Sequence, residues 1–220
     1  MKINCKTFSF NTIILSIVLI SLFGCGGGDN KLPILGERDW EKKTVDGKEV
    51  VDTIYNTIPP FSFVNQEGDT VSEKIVEGKI YVTDFFFTTC PTICPVMKRQ
   101  MVKVFQQFKG NPDVMILSHT IDPEHDTPQV LNKFAKDLGV EGTQWQFLTG
   151  DKDKIYKIGQ ESYMSTAKED KSAEGGYIHS GAFILVDKEK HVRGMYDGTT
   201  EEGTQKLIAD MKRLLDEYKK

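Results

Sequence analysis

Apolar positions divide the middle of the chain into strand-like runs and segments with helical spacing. Residues 79–87 (KIYVTDFFF) are mostly β-branched or aromatic, which predicts a central strand that is largely buried. Residues 96–109 carry apolar positions at helical spacing and predict a helix, and residues 114–121 predict a second buried strand. The apolar face of that helix is formed by Met97, Met101, Val104, Phe105 and Phe108.

Capping residues and chain breakers place the other elements. Asp126, Thr127 and Pro128 begin a helix that ends near Gly139, and Asp151 caps another helix. The remaining predicted elements are strands over residues 49–54, 61–64 and 145–148, a loop over 165–176, a hairpin of strands 182–186 and 191–196, and a closing helix over 200–218. This order predicts an α/β sandwich with a central mixed sheet.

The N-terminal residues have the pattern of a secretory leader. Lys2 and Lys6 precede an apolar stretch over residues 13–20, which is shorter than the roughly 20 residues that cross a bilayer. The segment that ends at Cys25 resembles a bacterial lipobox, in which the cysteine is lipidated; a free cysteine in an uncleaved anchor is the alternative. We therefore predict a lipoprotein signal peptide over residues 1–24, a lipidated N-terminus and tether over 25–50, and the functional domain over 51–220. The domain would then be lipid-anchored on the extracytoplasmic, periplasmic side of a bacterial membrane.

Length and composition limit the classes of function. The chain has 220 residues, of which 39% are hydrophobic and 27% charged, enough for one globular domain besides the leader. The formal net charge is −4, so the chain lacks the basic surface that a nucleic-acid-binding protein needs. Four cysteines are too few for a disulfide scaffold, and two of them precede the predicted domain.

The other two cysteines, Cys90 and Cys94, lie where the central strand ends and the first helix begins. Side chains four residues apart share one face of a helix, so two thiolates there can bind one ion or form a disulfide. The helix N-terminus favours thiolate over thiol. A purely stabilising disulfide is the alternative, but it would close a very short loop and contribute little entropic stabilisation.

Three segments of the chain resemble the Sco/SenC family. Residues 88–95 (TTCPTICP) are similar to that family's T-x-C-P-x-x-C-P signature, and residues 122–128 (DPEHDTP) to its D-P-E-x-D-T-P segment. His179 precedes a predicted strand, at the position where the family carries its metal-binding histidine. The three matches occur in the family's order and span most of the predicted domain.

The resemblance implies a thioredoxin-like three-layer α/β sandwich that binds one copper ion. It also implies that Cys90, Cys94 and His179 are the ligands. The partner would be the copper-receiving subunit of cytochrome c oxidase, whose dinuclear copper centre members of the family help to assemble.

The chemistry of the donors agrees with copper but does not require it. Soft thiolates select Cu(I), and imidazole binds either oxidation state of copper. Two thiolates and one imidazole could also hold Zn²⁺ with an open coordination position. Copper is preferred here mainly because of the family resemblance.

Several other polar or sulfur-containing residues are weaker candidates. Asp122 ends a strand near the predicted cysteine loop, where it could orient a ligand or transfer protons; a turn or cap is the alternative. Asp84 lies within the central strand, where a buried carboxylate needs a partner. Met97 and Met101 are expected to be core residues rather than thioether ligands. We expect structural or solvated roles for His119, His125 and His191.

Four hypotheses about function remain open on the sequence. The first is a copper chaperone, and the second is a thiol–disulfide oxidoreductase that reduces the cysteines of a copper-receiving protein. The third is a peroxidase-like enzyme in which Thr89 or Arg99 assists an activated cysteine. The fourth is a copper-dependent redox sensor without turnover.

Overall fold

The computed structural model describes residues 31–170 and 172–219. The predicted signal peptide and Cys25 lie outside these residues. Within the described part of the chain, no helix combines the length and the apolar character that a membrane span requires.

The elements follow one another as strands and helices of ordinary length. In chain order they are β1 (Arg38–Val45), β2 (Lys48–Tyr55), β3 (Ser62–Asn65), β4 (Thr70–Ser72), β5 (Ile80–Phe86), α1 (Cys94–Phe108), β6 (Val114–Thr120), α2 (Pro128–Asp137), β7 (Trp145–Thr149), α3 (Lys152–Lys157), β8 (Ala167–Glu169), β9 (Tyr177–His179), β10 (Ala182–Val186), β11 (Val192–Asp197) and α4 (Glu201–Glu217). A π-helical turn, Ile158–Ser162, directly follows α3. Thr127, Asp151 and Thr200 cap α2, α3 and α4 through their side chains.

Seven strands form the central sheet in the order β11-β10-β5-β6-β7-β3-β4. The pairs β5–β6 and β6–β7 are parallel, and the other neighbours are antiparallel. Every residue of β5, β6 and β7 is buried, which requires packing against both faces of the sheet. These strands therefore form the middle of a three-layer α/β sandwich with a mixed sheet, as the sequence pattern predicts.

The first helix packs its predicted apolar face into the core. Met97, Met101 and Val104 are fully buried, and Phe105 and Phe108 are nearly so. The expectation that the two methionines are core residues is confirmed. The same packing fixes the start of α1, and with it Cys94, against the end of β5.

β1, β8 and β9 are among the strands that were not predicted. β1 pairs with β2 in a hairpin separate from the central sheet, and all eight residues of β1 are exposed. With neither face buried, its sequence carries no alternating apolar pattern. The expected loop over residues 165–176 contains β8, which pairs with β9 so that Ala167 faces His179. β8 has only three residues, two of them exposed and charged, so its pattern is that of a loop.

The N-terminal end of the described chain is held against the domain. Leu32 is buried, and its amide donates a 2.7 Å hydrogen bond to Oε1 of Glu217. Arg193 donates to the carbonyl oxygen of Leu32 and forms ion pairs with Asp187 and Glu217. Asp187 directly follows the last residue of β10, whereas His179 lies shortly before the first residue of that strand. The chain therefore enters the domain at the end of β10 that is farther from His179.

Candidate metal centre

The candidate site lies beyond the end of the central strand β5. Cys90 is in the loop that follows this strand, Cys94 is the first residue of α1, and His179 is the last residue of β9. The structure brings these three residues together although 85 positions separate Cys94 from His179. The geometry depends on the short β8–β9 ribbon, which carries the histidine to the cysteine loop.

The three potential ligand atoms form a compact group. The two sulfur atoms and a ring nitrogen of His179 all lie within 4.8 Å of one another. Nε2 of His179 is 3.1 Å from Sγ of Cys94. Both cysteines are free thiols, with 7% of Cys90 and 3% of Cys94 exposed. Across residues 31–170 and 172–219, this is the one group of three His, Cys, Asp or Glu side chains with such geometry.

The backbone of the cysteine loop favours negative charge on sulfur. Pro95 occupies the first turn of α1, and no side chain caps that helix N-terminus. Uncapped amides and the helix dipole stabilise an anion at this end. The amide of Cys90 donates to the carbonyl oxygen of Phe87 at 3.3 Å, which closes the turn after β5.

The two thiols differ in their acidity. Burial opposes ionisation of Cys90, but hydrogen bonds from the Cys94 thiol and from the Cys94 and Thr92 amides outweigh it and lower its pKa. Burial raises the pKa of Cys94 far above its ordinary value. In the metal-free protein Cys90 is therefore the thiol that ionises more readily.

The histidine is oriented for binding through Nε2. Nδ1 lies 3.2 Å from the carbonyl oxygen of Ser180. A carbonyl oxygen can only accept, so Nδ1 carries the hydrogen and Nε2 presents its lone pair to the cysteines. The ring stands edge-on to Phe87, and burial lowers the pKa of His179, which favours the neutral form that binds metal.

Asp122 is not a member of the three-residue group. Its carboxylate accepts a hydrogen bond from the hydroxyl of Tyr177, whose ring packs on Phe87. Its backbone carbonyl accepts from the amides of His125 and Asp126, which closes a backbone turn over residues 122–126. Tyr177 was not singled out in the sequence, where only its closeness to His179 could have suggested a role.

The other histidines lie away from the ligand group. His119 is fully buried among the rings of Phe61, Phe63, Phe85 and Tyr163, and burial lowers its pKa to about 4. His125 is exposed. His191 is half-buried next to Asp187, with 3.5 Å between Nδ1 and a carboxylate oxygen.

Asp84 has the partner that a buried carboxylate requires. Nζ of Lys98 lies 2.7 Å from Oδ2 of Asp84, and both side chains are almost completely buried. Lys98 was not among the residues predicted to have a role. Its one signal is its position on α1, four residues after Cys94 and three before Met101, which places it on the buried face.

Comparison with known proteins gives one consistent result. The family model described as SCO1/SenC matches residues 52–216. The SCO1 protein homolog of Bacillus subtilis (strain 168) is 34% identical over 168 residues, which are 76% of this chain and 86% of that protein.

Solved structures agree with this result. A SCO1/SenC family lipoprotein from Bacillus anthracis str. Ames is 32% identical with a TM-score of 0.66, over 73% of this chain and 95% of that one. BsSco, described as carrying a disulfide switch and as a member of the Sco family of cytochrome c oxidase assembly proteins, is 34% identical with a TM-score of 0.64, over 72% and 93%. Arabidopsis thaliana ScoI with copper bound is 25% identical with a TM-score of 0.58, over 70% and 98%. The predicted thioredoxin-like α/β fold is confirmed.

Proposed function

The chain belongs to the SCO1/SenC family, and from this membership we propose that it binds one copper ion through Cys90, Cys94 and His179 and delivers it to the dinuclear copper centre of cytochrome c oxidase. The observation that carries the proposal is the group of three donor atoms within 4.8 Å of one another. Two relatives of known structure support the proposal. Arabidopsis thaliana ScoI holds copper, and BsSco is described as a member of a family of cytochrome c oxidase assembly proteins.

The donor set fits copper in both oxidation states. Two thiolates and a neutral imidazole give a site of net charge −1 with Cu(I) and of net charge 0 with Cu(II). Thiolate sulfur favours Cu(I), and the imidazole keeps Cu(II) accessible. The buried surroundings of Cys94 and the orientation of His179 by Ser180 hold two of the donors in place without metal.

The site opens on the side of Cys90 and His179. A half-open cavity of about 230 Å³ is lined by these two residues together with Phe87, Thr92, Ile93 and Ile178, whereas Cys94 does not line it. A recipient protein's ligands would therefore first exchange with Cys90 and His179. Cys94 would release copper last.

Metal analysis of the full chain tests this function. The protein is purified without oxygen, loaded with equimolar Cu(I) and passed through a desalting column, and copper is measured per chain. We expect about one copper ion in the wild type and little in Cys90→Ser or Cys94→Ser. Cys25→Ser is the matched cysteine control and should retain copper. Retention of zinc in preference to copper would refute the proposal.

Reduction of a disulfide in the recipient protein is a second candidate function. The lowered pKa of Cys90 beside the raised pKa of Cys94 is the asymmetry that such a reaction uses. The thiolate of Cys90 would attack the recipient's disulfide and release one of its sulfur atoms as a thiol. The sulfur of Cys94, on losing its proton, would then displace the second, which leaves a Cys90–Cys94 disulfide and a reduced recipient.

A peptide analysis tests this second function. Incubation of the metal-free, reduced protein with a disulfide-bearing model peptide should yield the Cys90–Cys94 link and two free thiols per peptide, whereas Cu(I)-loaded protein should react slowly. Two free thiols in the protein after thorough reaction would exclude this function.

The peroxidase hypothesis has less support, because Arg99 is exposed on α1.

Lipid attachment at Cys25 would keep this chemistry on the periplasmic side of the membrane. The support is the leader pattern before Cys25 and the relative from Bacillus anthracis that is described as a lipoprotein. The recipient would then be the copper-receiving subunit of the oxidase in the same membrane.

A further inference from the structure

A buried ion pair lies one helical turn from a proposed copper ligand. Lys98 follows Cys94 by four positions on α1, so the two side chains share a face of the helix. Only 2% of Lys98 is exposed, and Asp84 on β5 is completely buried. Buried lysine is rare because its charge must be compensated within the protein.

The pair is embedded in a closed polar network. Besides Asp84, the ammonium group of Lys98 donates to Oγ of Ser118 at 3.1 Å and lies 3.8 Å from the centre of the Phe86 ring. Ser118 donates to Oδ1 of Asp84 at 2.5 Å and accepts from Nε1 of Trp145 at 2.9 Å. These contacts fix both charges in one orientation.

Stability alone does not account for this arrangement. A buried ion pair contributes little compared with apolar side chains of the same volume, because the desolvation penalty offsets the attraction. The network is almost completely buried and includes a residue one helical turn after Cys94, so the effective dielectric constant around it is low and a fixed charge acts over several ångströms.

We propose that Lys98 and Asp84 set the reduction potential of the copper centre, with Lys98 favouring Cu(I) and Asp84 opposing it. Reduction adds one electron to the centre, Cu(II) + e⁻ → Cu(I), and changes its net charge from 0 to −1. A cation near the sulfur of Cys94 stabilises the reduced centre, and a carboxylate destabilises it. This inference rests on the proposed copper site.

The test measures the Cu(II)/Cu(I) potential of the full chain by a mediated electrochemical titration at pH 8. In Lys98→Met, the affinity for Cu(I) divided by the affinity for Cu(II) should fall about tenfold. This lowers the reduction potential by about 59 mV for a one-electron couple. Asp84→Asn should raise the ratio by a similar factor. Lys103→Met is the matched control, because Lys103 lies on the same helix in an exposed ion pair with Glu201. It should leave the potential unchanged.

The signs of the shifts separate this role from a structural one. A residue needed only for packing would loosen the site in both variants, so shifts of the same sign, or no shift in either variant, would overturn the inference. Should Lys98→Met fail to fold, the double variant with Asp84→Asn removes the unpaired carboxylate. The reduction potential of the double variant should then lie between that of the wild type and the potential expected for Lys98→Met. A potential above that of the wild type would contradict the proposal. A wild-type chain that binds no copper would instead refute the proposed function itself.

Discussion

The hydroxyl group of Tyr177 donates a hydrogen bond to Oδ1 of Asp122, with 2.9 Å between the two oxygen atoms. Tyr177 begins β9 and His179 ends it, whereas Asp122 follows β6 in the central sheet. The bond therefore fastens the strand that carries the histidine to the central sheet, whose strand β5 leads into the cysteine loop. We therefore expect Asp122 to act on the proposed centre through this strand rather than as a ligand.

Removing the bond should weaken copper binding without abolishing it. Tyr177→Phe keeps the ring on Phe87 but loses the donor, and we expect copper affinity to fall roughly tenfold, at the low end of the usual effect of outer-shell partners. Asp122→Asn retains an acceptor oxygen and should have a smaller effect. Competition with a Cu(I) chelator measures both. Equal, wild-type affinities in the two variants would show that β9 is held by other contacts.

The buried His119 should make the fold less stable in mild acid. Its pKa is about 4 in the folded protein and about 6.5 in an unfolded chain. Between these values the unfolded chain binds a proton that the folded protein excludes. The free energy of unfolding therefore falls as the pH falls from about 6.5 to 4, by about 3 kcal/mol in total, and is unaffected by this group above that range.

Urea unfolding at pH 7, 5.5 and 4 measures this effect. His119→Phe keeps a planar ring within the aromatic cluster and should have a shallower loss of stability than the wild type over this range. His125→Phe is the control, because His125 is exposed and its replacement should leave the pH dependence unchanged. Parallel wild-type and His119→Phe profiles would mean that His119 is protonated in the folded protein.

The sequence predicts those parts of the fold whose packing leaves a pattern. β5 is recognisable because burial on both faces excludes nearly all polar residues, and α1 because one face of it is buried. β1, which pairs with β2 in a hairpin, is not recognisable from the sequence, because a strand with both faces exposed needs no pattern of apolar residues. β8 is too short to show one.

The candidate site was predictable from spacing and resemblance, but its surroundings were not. The spacing predicted that Cys90 and Cys94 meet on one helix face, but Cys90 lies in the loop before α1, and it is this loop that brings the two thiols together. The family resemblance added His179. The spacing of Lys98 places it on the buried face of α1, but its partner Asp84 lies on another element, so the sequence does not show that the two form an ion pair. The link from Asp122 to Tyr177 likewise exists only in the folded protein.

Replacement of Cys25 should release the protein from the membrane. Lipidation needs the thiol, and several acyl chains on one cysteine would account for stable anchoring. Cys25→Ser should move the chain from the detergent phase to the aqueous phase, or leave an unprocessed precursor of higher mass. Cys5→Ser is the matched control, because Cys5 lies within the predicted signal peptide. Unchanged mass and partitioning of Cys25→Ser would exclude a lipid anchor at this residue.

His179 distinguishes metal delivery from disulfide reduction, because imidazole can bind copper but cannot form a disulfide. His179→Ala removes one of three donors while leaving Cys90 and Cys94 in place. We expect copper retention to fall more than 100-fold, beyond the roughly 10–100-fold effect of losing an outer-shell partner. The Cys90–Cys94 pair should still be oxidised and reduced, since its helix N-terminus and loop are unchanged. His125→Ala serves as the exposed histidine control.

The decisive measurement compares copper retention, dithiol oxidation and cytochrome oxidase activity in cells that carry each variant. If delivery is the function, oxidase activity falls with copper retention in His179→Ala while dithiol oxidation is preserved. Full oxidase activity in a His179→Ala protein that retains no copper would favour reduction of the recipient's disulfide. Normal copper binding in His179→Ala would show that another residue supplies the third donor. The buried, unpartnered nitrogens of His119 and the thioether of Met97 would then be examined, although both lie in the packed core. Delivery requires that copper retention and oxidase activity fall together, because Nε2 of His179, 3.1 Å from Sγ of Cys94, would be one of the three donors that hold the ion before transfer begins.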